Sequence, residues 1–154
     1  MENRESKGRD KAPENDRLLR KACQGTKYAT ETISIALNYV KGRELREILN
    51  RYNKRHEALK KDIIAALGSR GEGEYSHPSM PAEMAKMHMN ISLSISNKDY
   101  RIAELMVNGC HMGIKTLWKD KNKCESDCPE AKRLTDELIR IEADMTEELL
   151  PYLR

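Results

Sequence analysis

The sequence predicts an all-α protein built as a four-helix bundle, on three observations. The first is a pair of apolar stripes joined by a short break. Leu19, Cys23, Thr26, Thr30, Ile33, Leu37 and Val40 form one stripe, and Leu45, Leu49, Tyr52, His56, Leu59, Ile63 and Ala66 form the other. Both alternate steps of four and three, the spacing that keeps one seam of a helix facing a partner. The second observation is composition: no phenylalanine, one tryptophan, eight glycines and five prolines in 154 residues, with charged side chains making up 34%. That mix suits helices and disfavours a sheet. The third is length, enough for one domain with a real core.

Met1 to Asn15 is polar and interrupted by Gly8 and Pro13, so the sequence predicts a disordered charged arm over 1–15 and one domain over 16–154. Asp16 is the expected cap of the first helix. Lys41, Gly42 and Arg43 are too few to separate the first two helices, which must therefore lie antiparallel. Pairing outward from that turn brings Ile33 near Tyr52, Thr30 near His56 and Cys23 near Ile63. The second helix should run to about Leu67 and stop at Gly68.

Pro81 suits the first turn of a short crossover helix, Ala82 to Ile95. Met80, Met84 and Met87 fall on one face of it, beside His88 and Met89. They read as packing first, an adaptable docking surface second and a thioether metal site last. Ser96 and Asp99 resemble a capping box for the next helix, about Asn97 to Lys119. Its seam is Ile102, Met106, Gly109, Gly113 and Thr116, flanked by Leu105, Met112 and Leu117. Two glycines on one face suggest close approach of another backbone, since each costs a helix about 1 kcal/mol relative to alanine. A polar turn over 120–128 carries Cys124 and Cys128. Pro129 then opens the last helix, with a seam at Leu134, Leu138, Ile141, Met145, Glu148 or Leu149, and Tyr152.

The net charge of +3 conceals an asymmetry. Residues 18–70 carry +7 and residues 71–154 carry −4, so the halves should attract each other across the bundle. Glu47 with Arg51 and Glu57 with Lys61 are spaced as helix-surface pairs. The basic hairpin lacks interleaved aromatic residues, which disfavours nucleic acid. No run is apolar enough to span a membrane and the first residues are charged, so the expected address is the cytoplasm.

A tight helical hairpin, a crossover of about thirty residues and a second hairpin is ferritin-like connectivity. Over Leu18 to Leu153, and most in Arg17–Thr30, Glu44–Leu67 and Glu104–Leu117, the chain resembles the ferritin-like superfamily, in a bacterial branch with degenerate di-iron ligands. Members with a di-iron site use a Glu from each of two helices and a Glu-x-x-His from each of the others. Here Asn53-Lys-Arg-His56 keeps the histidine without the glutamate, and Glu142-Ala-Asp-Met145 keeps the glutamate without the histidine. Glu31 lies off the seam, and the third long helix offers Cys110 or Glu104. A di-iron oxidase is therefore disfavoured.

At the bundle midplane, Thr30, His56, Cys110, Met145 and Met106 together offer imidazole, thiolate and thioether groups, a set suited to copper(I), or to zinc if a carboxylate joins. The simpler reading is a core histidine hydrogen-bonded to Thr30, with the sulfurs filling space. Cys124 and Cys128 lie in a loop, with Cys128 at a helix N-terminus; ferritin-like connectivity brings Cys23 to the same end of the bundle. These three cysteines suit zinc or a redox pair, against the alternative of plain free thiols. No phosphate-cradling glycine loop and no Ser-His-Asp spacing occurs. The sequence thus favours a non-catalytic bundle without a cofactor, acting on a protein partner or on itself as a homo-oligomer. The alternative is a soft-metal (copper or zinc) or thiol-redox protein.

Overall fold

A computed structural model describes residues 5–68, 85 and 98–154, with side chains in the first helix from Pro13 onward. Four helices account for nearly all of these residues: α1 (Glu5–Leu37), α2 (Arg43–Leu67), α3 (Asp99–Lys123) and α4 (Pro129–Leu149). A 3-10 turn, Leu150–Tyr152, follows where Pro151 ends regular hydrogen bonding. No strand occurs among the described residues, and no helix there is long and apolar enough to cross a membrane.

The first helix is longer than its apolar stripe. It begins at Glu5 and runs through Pro13, so residues 5–15 are helical and Asp16 is an interior residue, not a cap. Burial of apolar surface was the wrong criterion there: Glu, Lys, Arg and Ala are good helix formers, and the core that begins at Leu18 extends the helix backward.

The two stripes pack as the hairpin requires. Leu19, Cys23, Thr26, Thr30 and Ile33 are buried on α1, with Leu37 partly buried at its end and Val40 buried in the turn that follows. Leu45, Leu49, Tyr52, His56, Leu59 and Ile63 are buried on α2. The α2 stripe closes on Leu67, with Ala66 only partly buried. Gly68 ends the helix in the left-handed region at φ 56°, where a side chain would be strained.

Hydrogen bonds fix the direction of the remaining helices. Asp99, the first residue of α3, accepts the backbone N–H groups of Lys41 at 3.0 Å and Gly42 at 2.7 Å. It therefore ties α3 to the α1–α2 turn. Lys98, not Ser96, is the N-cap residue, and Ser96 itself lies outside the described residues. At the same end Tyr152 donates to Glu44 at 3.4 Å, and Arg51 of α2 meets Glu148 of α4 at 2.7 Å. The opposite end joins Glu14 to the α3–α4 loop. Hence α1 and α4 run one way and α2 and α3 the other, and residues 69–97 connect opposite ends of the fold. Both α1 and α4 pack against all three other helices.

Gly42 is held to its side-chain-free form by this junction, because a Cβ there would stand 2.5 Å from Asp99 Oδ2. Gly42→Ala should displace the carboxylate and leave two N–H groups without it, lowering stability by about 1–3 kcal/mol. Urea unfolding checks this, and Gly42→Ala in an Asp99→Ala background should have a smaller effect.

The charged halves meet where α2 faces α4. Arg51 pairs with Glu148 rather than Glu47, and Arg55 pairs with Asp144 at 3.1 Å. Glu47 instead pairs with Arg43, and Glu57 with Lys60 rather than Lys61. Longer reach across the interface competes with the local i,i+4 option, which contributes only tenths of a kcal/mol.

Candidate functional site

Two groups of chemistry-bearing side chains emerge, one at the end of the fold and one at its middle. The first sits where α3 turns into α4. Lys123 ends α3, leaving Cys124 as its C-cap and Cys128 as the N-cap of α4, so the predicted loop shrinks to five residues. Both cysteines are buried and free, and their sulfurs lie 2.7 Å apart. Glu14 reaches them from α1. Its Oε2 accepts the Ser126 backbone N–H at 2.9 Å and the Ser126 hydroxyl, and lies 3.8 Å from the Cys124 sulfur. Lys132 closes the loop by donating to the Ser126 carbonyl at 3.4 Å. One ligand atom from each of Glu14, Cys124 and Cys128 falls within 4.8 Å of the others, so the group could hold a metal ion.

Electrostatics at this end divide the roles. The Ser126 hydroxyl and backbone N–H hold the Glu14 carboxyl below its ordinary range, which keeps it an anion. Burial, then the hydrogen bond to Cys128, pushes the Cys124 thiol up to about 11. The resting state is thus a carboxylate beside a protonated Cys124. A thiophilic cation would displace thiol protons on binding.

The second group lies between α2, α3 and α4. His56 is fully buried, and its Nδ1 lies 2.7 Å from the Tyr52 carbonyl. That oxygen can only accept, so Nδ1 carries a proton. Nε2 lies 3.0 Å from Glu142 Oε1, so both ring nitrogens are engaged. Thr30 is not the partner: its hydroxyl bonds back to the Lys27 carbonyl at 3.0 Å. Cys110 is buried beside this pair. Burial first, and the Glu142 carboxylate second, raise its thiol well above its usual range.

Glu142 and Cys110 also face a cavity of about 180 Å³ between α1 and α3. Met106 and Met145 line its wall, so three of the midplane candidates gather there, while His56 stands behind Glu142. Gly109 and Gly113 line it too. At Gly113 no other backbone approaches closely, and a Cβ there would meet Glu142 at an ordinary 3.8 Å. The packed seam of α3 keeps Ile102 and Met106 as expected, then continues through Cys110 and Leu117 rather than through the glycines, with Leu105 also buried.

Cys23 is buried in the core of α1, outside the Glu14–Cys124–Cys128 group. Met80, Met84 and Met87 fall outside the described residues. Sequence reasoning missed Glu14 and Ser126 as site residues. It saw Glu142 only as half of a motif, although a carboxylate one step from the seam residues Leu138, Ile141 and Met145 is a usable signal.

The raised thiols make stability depend on pH. Unfolded cysteines ionise near about pH 8.5, while Cys124 stays protonated to about 11 and Cys110 stays protonated well above its usual range. Between those limits the unfolded chain binds fewer protons, so stability must fall as pH rises. Chemical denaturation at intervals from pH 8 to 10.5 should show that decline, and a Cys110→Ala/Cys124→Ala variant should show a shallower one.

Comparison with known proteins finds no matching family model, no matching curated protein and no matching solved structure.

Proposed function

We propose that the protein is a ferritin-like four-helix bundle that binds one thiophilic divalent ion, zinc by preference, through Cys124, Cys128 and Glu14. The observation that carries this reading is the convergence of two buried sulfurs and an anionic carboxylate within 4.8 Å. Thiolate with carboxylate suits zinc, which takes both in a tetrahedral shell and here would leave its fourth position to water or a further ligand. At zinc–sulfur bonds of about 2.3 Å the sulfurs would stand about 3.8 Å apart. The five-residue loop would therefore open by about 1 Å from its present 2.7 Å separation. The ion would then tie α1 to the α3–α4 junction, a structural role rather than a catalytic one.

The ferritin-like part rests on α2 and α3 running in the same direction, with residues 69–97 between their far ends. It rests also on His56 and Glu142 meeting from the two degenerate Glu-x-x-His positions. Both ring nitrogens of His56 are engaged there, which argues against copper capture at the midplane.

Competition titration of the reduced protein with zinc and a chromophoric chelator tests the reading. One site per chain is expected. Its affinity should rise steeply with pH between 6 and 8, by up to about a hundredfold per unit if both thiols release protons. Glu14→Gln should weaken it at least tenfold, and a flat pH profile would contradict thiolate ligation.

The 2.7 Å separation also favours a second reading, in which the two thiols form a disulfide by giving up two protons and two electrons to dioxygen or another external oxidant. A thiol count of two rather than four on air-exposed protein supports that reading. Among the described residues an interaction role draws on large exposed apolar side chains: Ile64, Leu150, Leu153 and Trp118, over whose ring Lys121 Nζ sits 4.5 Å from the centroid. Light scattering tests it.

A further inference from the structure

We infer that the cavity between α1 and α3 is a binding site for a small, neutral, largely apolar molecule carrying one hydrogen-bond donor, which Glu142 accepts. The inference is independent of the metal reading. Three observations support it. The cavity holds about 180 Å³, and a dry cavity of about 150 Å³ is enough to take benzene. Its walls are side chains such as Ile33, Met106, Leu138 and Met145, and flexible methionine adapts to a guest.

The second observation is what keeps the space open. Glycine is the poorest helix former after proline, and three mid-helix glycines, Gly25, Gly109 and Gly113, line this one cavity, although packing alone accounts for Gly25, where a Cβ would stand 3.1 Å from Leu138 Cδ2. At Gly113 a Cβ would meet nothing nearer than 3.8 Å, so packing does not demand glycine there. Room in the cavity is what the absent side chain supplies.

The third observation is the buried polar wall. Glu142 is 7% exposed, with Oε1 on His56 and the Cys110 thiol beside it. A carboxylate offers about four acceptor positions, so these two partners leave it able to accept from a guest. An anionic guest would bring a second negative charge beside the Glu142 carboxylate and be disfavoured. Asp120, two turns along α3 from Gly113 toward the Cys124 end, and Lys21 of α1 line the cavity and give the apolar slot a polar limit.

The probe is 1-hexanol, compared with hexyl methyl ether, which lacks the donor, and with hexanoate. Amide nitrogen–proton NMR would follow the glycine resonances of α3 during titration. The alcohol should bind saturably at one site and move the Gly109 and Gly113 signals. The ether should bind at least fivefold more weakly, and hexanoate at least tenfold. Gly113→Leu fills the space from α3 and should weaken hexanol at least tenfold. Ala29→Leu does so from α1 and gives the same test should the first variant fold poorly. No saturable shift with the alcohol would overturn the inference, as would equal binding of the ether or unchanged binding in a folded filled variant.

Discussion

Glu142→Leu should lower stability by about 3–5 kcal/mol, the largest effect expected of any single change outside the apolar core. The carboxylate is the partner of His56 Nε2 at 3.0 Å in a site where the histidine is fully buried. Removing it leaves the second ring nitrogen buried without its partner. His56→Leu should be less damaging, because Glu142 faces the cavity and can be hydrated there. The double substitution should recover at least half of the Glu142→Leu loss, since two apolar groups in place of a buried polar pair are often close to neutral. Urea unfolding of the four proteins gives the coupling directly. A loss below about 1 kcal/mol in the single variant would contradict the buried pairing.

Zinc should raise the thermal midpoint of the reduced protein by about 6–10 °C at a hundredfold excess over its dissociation constant. On the proposed reading the ion binds only the folded arrangement of Glu14 with the loop cysteines, which would stabilise the fold by about 2.7 kcal/mol at that excess. In a chain of this length each kcal/mol moves the midpoint by about 2–4 °C. Cys124→Ser and Cys128→Ser should each abolish the shift. Cys23→Ser should keep it, because Cys23 lies outside the ligand group. Differential scanning calorimetry with and without zinc, under reducing conditions, reads all four. A shift that survives in Cys128→Ser would place the ion elsewhere.

The hairpin was legible because a stripe of fours and threes is a direct image of a helix seam, and Gly68 and Pro129 stand where they were read. Legibility failed where contacts join distant parts of the chain. Asp99 looked like half of a local capping box and proved to cap the α1–α2 turn, 57 residues away from Gly42. Glu14 stood in a stretch judged too polar to fold, yet it bonds to Ser126 across 112 residues. Neither carries a periodic signal, since a single long-range hydrogen bond leaves none in the flanking sequence. Gly109 and Gly113 were noticed for their helix penalty; both line the cavity, and at Gly113 the expected close backbone is absent. Thr30 and His56 were both correctly buried. Their expected hydrogen bond was displaced by a carboxylate from α4, because a charged acceptor outcompetes a hydroxyl for an imidazole in a low-dielectric site.

The cobalt(II) absorption spectrum tests the metal site most directly. Cobalt substitutes for zinc in tetrahedral thiolate sites, and the intensity of the sulfur-to-cobalt charge-transfer band counts the thiolates bound. Reduced protein titrated with cobalt should reach its end point at one equivalent with the intensity of two thiolates, and zinc should bleach the band. Cys124→Ser and Cys128→Ser should each halve or remove it, while Cys23→Ser leaves it intact. A band that persists at full intensity in either loop variant, or no band in the wild-type protein with four titratable thiols, would contradict a metal centre at Glu14, Cys124 and Cys128.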